Sequence, residues 1–232
     1  MLPKISYPVF NLNLPLSKKK ITFRPMLVKE EKMLLLAKEG NSEVEIVDNV
    51  KAILQNCINE NIDFDDLPLV EAEFIFLNLR AKSINNIVPV TVTDPYDSSI
   101  RHKVDIDLDQ VTIKTSKKNP IIELQDGIGL KLKYPTLSTL KNVDRRKSVE
   151  VVNLTALREC IDYVYDSDTV YKMRDVPVDE ANTFIESLQA KHIDMIQEFF
   201  DDLPKLNLKI EFVDSKGKQA FKTLDTFYDF FQ

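Results

Sequence analysis

Val88-Pro89-Val90-Thr91-Val92-Thr93 and Lys103-Val104-Asp105-Ile106-Asp107-Leu108 are the stretches on which the fold turns. In both, apolar and polar residues alternate with a period of two, the spacing that puts successive side chains on opposite faces of a strand. The same period runs through Val111 to Thr115, Ile121 to Leu124 and Gly129 to Lys133, with Asp126-Gly127 supplying a tight-turn pair between the last two. Residues 87–135 therefore read as an antiparallel β insertion, and the tract Asp94 to Ser99 with Pro95 as its exposed tip.

Outward from this insertion the period changes. Towards the N-terminus, Tyr7 to Leu14 and Lys20 to Arg24 form an expected hairpin, followed by a helix over Met26 to Glu39 that carries Leu34, Leu35, Leu36 and Ala37 and ends at Gly40. Ser42-x-x-Glu45 has capping-box form, and Ile46, Val47, Val50, Ile53, Leu54, Cys57 and Ile58 follow the helical period behind it. A third helix after Pro68 is apolar on nearly every side (Leu69, Val70, Phe74, Ile75, Phe76, Leu77, Leu79), as a buried helix must be. Towards the C-terminus come a short helix over Thr136 to Asn142 and an amphipathic one carrying Val151, Leu154, Leu157, Cys160, Ile161 and Val164. A helical hairpin follows, one arm with Ala181, Phe184, Ile185 and Leu188 and the other with Ile193, Ile196, Phe199, Phe200 and Leu203. Leu206, Leu208, Ile210 and Phe212 alternate as a strand, Asp214 to Gly217 turn, and a second strand runs to Thr223. The expected class is α+β, with helical N- and C-terminal portions flanking the insertion and segments at 1–86, 87–135 and 136–232.

Charge and composition exclude several classes. The 232 residues carry 31 basic and 37 acidic side chains, a net charge of −6, which is opposite to the footprint of a nucleic-acid binder. Lys18, Lys19, Lys20 and Arg24 are the densest basic run and suit a solvated hairpin turn. No stretch reaches the roughly 18 apolar residues of a membrane span, and Met1 to Phe10 lack a signal pattern, so no membrane is expected and the compartment is a reducing cytoplasm.

Chemistry has little material here. Asp105, Asp107 and Asp109 have the opening spacing of a calcium loop, but Gln110 and Ser116 stand where Gly and Glu are required, and a half-buried strand explains the same residues. Cys57, His102, Cys160 and His192 contain no close pair for zinc, and each cysteine falls on an apolar helical face. No Gly-x-Ser-x-Gly presents a serine to either histidine, so His192 reads as a surface residue near a helix start. Gly127-x-Gly129 joins strand to strand and lacks the third glycine of a dinucleotide turn. The adjacent acids Asp65-Asp66 and Asp201-Asp202 suit solvated helix ends. No catalytic residue, metal, cofactor or small-molecule substrate is expected, and the protein is read as no enzyme. Leu224, Phe227, Tyr228 and Phe231, at helical spacing, form an apolar stripe too short to be stable alone. Either the protein's own body covers it, the strand pair Leu206 to Thr223 and the Phe199-Phe200 helix, or a partner does.

Three stretches point further: Leu14 to Lys20 running on through Arg24-Pro25-Met26-Leu27-Val28-Lys29-Glu30-Glu31-Lys32, then Leu79-Arg80-Ala81-Lys82-Ser83, then Leu130-Lys131-Leu132-Lys133-Tyr134-Pro135-Thr136-Leu137. With Cys160-Ile161-Asp162, Phe199-Phe200, Leu203-Pro204-Lys205 and the closing Phe230-Phe231, the chain resembles the baseplate hub assembly proteins of T-even-type tailed bacteriophages. That resemblance implies a protein made late in infection in the host cytoplasm, binding phage baseplate hub proteins during tail assembly. It implies no catalytic residue and no metal role. A transient assembly chaperone is the favoured form, and a structural subunit retained in the virion baseplate is the alternative.

Overall fold

The computed structural model describes residue 3 and residues 5–39 and 43–231, with the backbone only at 37–39, 43 and 231. Gly40 and Ser42, the expected stop of the first helix and cap of the second, lie outside the described residues. In chain order the elements are β1 (Phe10–Asn13), β2 (Lys20–Phe23), α1 (Val28–Glu39), α2 (Glu43–Cys57), α3 (Leu69–Ser83), β3 (Ile87–Thr93), β4 (Arg101–Asp107), β5 (Thr112–Lys114), β6 (Ile121–Gln125) and β7 (Ile128–Leu132). Then follow α4 (Leu137–Asn142), α5 (Val149–Cys160), β8 (Ile161–Tyr165), β9 (Val170–Lys172), α6 (Val178–Glu186), α7 (Ala190–Asp201), β10 (Lys205–Val213), β11 (Gln219–Leu224) and a terminal 3₁₀ turn, Phe227–Phe231. The chain is thus mixed α+β with antiparallel sheets, and all five alternating runs of the insertion form strands.

Contacts group the elements into two compact units that do not follow the consecutive segments 1–86, 87–135 and 136–232. One holds 1–63, 70–115 and 204–232; the other holds 64–69 and 116–203. The insertion is shared, β3 to β5 belonging to the first and β6 to β7 to the second.

In the first unit, β1 pairs with β2 and β3 with β4, and β10 lies between β11 and β5. α3 is buried on most sides, as its sequence requires, and includes one charged residue that the apolar pattern did not anticipate as core, Glu71. Its Oε1 accepts the Leu16 and Ser17 amides at 2.7 and 3.0 Å, fixing the turn between β1 and β2. Lys18 in that turn has φ 57°, and the lysine run is a hairpin connection as expected. α1 begins at Val28, two residues later than its sequence suggested: Glu30 folds its carboxylate back onto the Leu27 amide at 2.9 Å, the geometry of a helix start. The same carboxylate pairs with Arg24 at 2.9 Å and is fully buried.

The second unit is the four-stranded sheet β6-β7-β8-β9 with α4 to α7. Its core joins Ile122, Leu130, Leu132, Ile161, Ile196 and Phe199, with Tyr134 stacked on Phe199 at 5.6 Å between centroids. Here the expected helix through Ile161 and Val164 is corrected. α5 stops at Cys160, and Ile161 to Tyr165 pair with β7 as β8. The apolar positions 157, 160, 161 and 164 satisfy a helical period, but Ile-Asp-Tyr-Val-Tyr is β-branched and aromatic, and pairing with β7 completes the sheet. Gly127, at φ 75°, makes the turn between β6 and β7, and Gly129 leaves room for the Tyr165 ring, so the two glycines serve sheet geometry.

Candidate interaction surfaces

β11 ends at Leu224, which is buried, so the first member of the stripe is a strand residue and not a helical one. The next two residues are held by Asp229, whose Oδ2 accepts the Asp225 and Thr226 amides and the Thr226 hydroxyl at 2.8–3.2 Å. That clamp starts a 3₁₀ turn in place of the expected α-helical one. With three residues per turn, positions 227 and 230 share a face, not 224, 227, 228 and 231. Phe230, absent from the expected stripe, is 1% exposed, and Phe227 meets the Phe76 ring edge-on at 5.7 Å. Arg80 of α3 donates to the Phe230 carbonyl at 3.5 Å. The segment thus docks on α3 of its own body, with β3 also beside it. Tyr228 is left 73% exposed, and the Phe231 side chain lies outside the described ones.

A second surface gathers two hairpin tips, β3–β4 and β10–β11. Asp94, expected at an exposed tip, is buried, and its carboxylate gathers donors from both tips. Oδ1 accepts the Tyr96 amide at 2.9 Å, the Asp97 amide at 3.2 Å and the Ser215 hydroxyl at 3.0 Å; Oδ2 accepts the Ser215 amide at 2.7 Å and faces His102 Nε2 at 2.8 Å. Burial opposes ionisation of this carboxyl, but the bonds from His102, Tyr96 and Ser215 outweigh it and hold the pKa far below the usual range. The serine bonds to the aspartate and not to the histidine, so the trio lacks the nucleophile–base contact of a hydrolytic triad. It is a clamp on two loops. Above it, Lys216 Nζ lies 3.5 Å from the centre of the exposed Tyr96 ring.

Other reactive side chains also hold elements in place or sit in apolar surroundings. His192 is buried, a correction of its expected surface place: Nδ1 accepts the Gln189 amide at 3.2 Å and Nε2–H donates to the Leu124 carbonyl at 3.1 Å, tying α7 to β6. Burial pushes the Cys57 thiol up to about 11 and the Cys160 thiol to about 12, so both stay protonated hydrophobes in neutral solution. Asp107, from the rejected calcium pattern, caps the 3₁₀ turn Leu108–Gln110 through the Asp109 amide, and Lys82 neutralises Asp109 at 2.7 Å. No cluster of three or more His, Cys, Asp or Glu suited to a metal occurs among the described residues, and none of the described helices is long and apolar enough to cross a membrane.

The tip clamp was only half visible in the sequence. Asp94-Pro95-Tyr96-Asp97 has Asx-turn form, which accounts for the amide bonds, but nothing local announces Ser215, 121 residues away. α1 also exposes Val28, Leu35 and Leu36.

The T4 bacteriophage base plate protein family matches residues 7–232, nearly the whole chain. No curated protein and no solved structure matches.

Proposed function

The chain belongs to the T4 bacteriophage base plate protein family, and from that premise we propose that it is a non-enzymatic assembly factor for the baseplate hub, acting in the host cytoplasm by binding hub proteins while the tail is built. Membership in this family implies a structural or assembly role and contact with other baseplate proteins. The observation that carries the finer reading is the use of the reactive residues: Asp94, His102, Ser215 and His192 all hold loops or elements in place, which suits a preorganised binding body. Among the described side chains of the stripe, Leu224, Phe227 and Tyr228, the one best available to a hub protein is Tyr228, a large aromatic presented from a turn clamped by Asp229.

Mass spectrometry of infected lysate and purified particles tests the reading. An assembly factor is abundant in lysate and absent from virions; a fixed copy number in both identifies the retained hub subunit instead. Tyr228→Ser is expected to leave the unfolding midpoint within about 0.5 kcal/mol of the parent, as an exposed substitution should, while reducing co-purification with hub proteins. Undiminished co-purification removes Tyr228 from the interface.

A further inference from the structure

Among the described residues, every β-sheet edge but one carries a device that stops another strand from adding to it. Antiparallel pairs alternate between residues bonded to each other and residues whose N–H and C=O point away, so the register decides what each edge shows. On β3 the outward residues are Ile87, Pro89, Thr91 and Thr93, with the proline removing a central donor; on β4 they are Arg101, Lys103, Asp105 and Asp107, all charged. The outward edge of β2 is already taken, since the Thr22 amide donates to Glu60 and its carbonyl accepts from Asn59. β1 is four residues long between Pro8 and Pro15, and β5 and β9 have three residues each. β6 is bulged, with His192 bonded to its Leu124 carbonyl.

β11 has none of these devices. It pairs with β10 over six residues without a bulge, and no other described helix or strand runs along its far side. The hairpin closes with the Asp214 amide on the Lys218 carbonyl at 2.9 Å, which makes 214 and 218 a mutually bonded pair. Counting along the register, Ala220, Lys222 and Leu224 bond to β10, and Gln219, Phe221 and Thr223 turn their main-chain groups outward. Those three residues bear no charge and no proline, and all three are exposed.

We propose that β11 pairs with β11 of a second copy of this chain, antiparallel and centred on Phe221. The strand is self-complementary in that register alone: Phe221 meets Phe221, Gln219 meets Thr223, Ala220 meets Lys222 and Lys218 meets Leu224. All outward residues then form mutually bonded pairs, no two like charges stand opposite, and an aromatic pair lies on the two-fold axis. The contact is small beside the area that stable dimers bury, so dissociation is expected on the order of 0.1 mM. The inference goes beyond the hub-assembly reading and does not depend on it.

Sedimentation equilibrium of the full chain across that concentration range should show monomer passing to dimer. Phe221→Pro removes one outward N–H without costing a bond to β10, and should reduce the dimer fraction at least several-fold. Because that variant can fail for reasons of folding, two cysteine variants provide an independent readout. In the proposed register Phe221→Cys faces its own copy at about 5.5 Å between Cα atoms, within disulfide range, whereas Thr223→Cys lies roughly 14 Å from its copy. Oxidation should therefore link Phe221→Cys at least tenfold faster. Equal linking rates, or a chain that stays monomeric throughout, overturn the proposal. So does a monomer whose Gln219, Phe221 and Thr223 amides gain exchange protection only when a baseplate protein is added, which would assign the edge to a partner's strand.

Discussion

The two units bury polar groups of different kinds. Among the described residues, the buried charged side chains of the first unit are Glu30, Glu71, Asp94 and Asp214, and each accepts main-chain amides. The second unit buries Thr136, Thr139 and His192, with Thr136 capping α4, beneath a continuous apolar core. A carboxylate can satisfy several donors from segments far apart in sequence, so it suits a unit assembled from three stretches of chain. The same device couples that unit to pH, whereas an apolar core does not. The first unit should therefore lose its order in acid before the second.

The largest test sits in the second unit. Phe199→Ala removes a ring stacked on Tyr134 and in contact with Phe200, and should cost about 3–5 kcal/mol with little change between pH 5 and 8. Urea unfolding followed at both pH values checks it. A strong pH dependence would mean that the apolar unit is not insulated from charge.

Glu30→Ala is the counterpart in the first unit. It leaves Arg24 and the Leu27 amide without their carboxylate, and roughly 3 kcal/mol is expected, the low end for a broken pair because Arg24 keeps some contact with water. Burial raises the Glu30 pKa, but the Arg24 guanidinium and the Leu27 amide lower it further, and the net shift is downward. A lowered folded pKa gives stability that is complete above the unfolded value near 4.3 and is lost as pH falls. The gap between variant and parent should accordingly narrow below about pH 4. A gap that stays constant to pH 3 would place the effect in packing.

Glu73 reverses the sign. Burial alone lifts its carboxyl to about 7, so between roughly pH 4.3 and 7 the folded chain holds a proton that the unfolded chain has released. Its charge opposes folding increasingly as pH rises through that window. Glu73→Gln should be neutral near pH 4 and stabilise by roughly 1–3 kcal/mol at pH 8. Equal midpoints at pH 8 would show that water reaches the carboxylate.

Local periodicity carried most of the element pattern. Alternation marked β3 to β7, β10 and β11, and the helical spacing marked α2, α6 and α7, because each of these buries one face on a regular repeat, while α3 was marked by a run apolar on nearly every side after Pro68. Ile161 to Tyr165 escaped because a run of five residues fits both periods until β7 is present to pair with it. The terminal turn escaped for a related reason: Leu224, Phe227, Tyr228 and Phe231 fit 3.6 residues per turn, and the Asp229 clamp tightens the chain to three, exchanging Phe230 for Phe231 as the position sharing a face with Phe227. The motifs behind the family resemblance proved to be joints. Arg24 and Glu30 fasten α1, Ser83 receives the Met26 amide, Arg80 holds the terminal turn and Thr136 caps α4. Long-range joints of this kind leave residue types in the sequence without revealing which residues meet.

Asp94→Asn carries the smallest expected global effect and the most local one. The amide retains one acceptor oxygen in place of two and introduces an N–H where Oδ1 or Oδ2 now accepts, so at least one of the Tyr96, Asp97 and Ser215 amides must lose its partner. Both loops stand at hairpin ends where water can replace part of what is lost, so the cooperative unfolding midpoint should fall by less than in Glu30→Ala. Hydrogen exchange is the measurement: amides at 96, 97 and 215 should exchange at least tenfold faster together, while those of β10 remain protected. If only Tyr96 and Asp97 accelerate, the Ser215 turn is fixed by Asp214, which accepts the Lys216 and Lys218 amides at 2.8 and 2.9 Å, and the two tips are neighbours without being coupled.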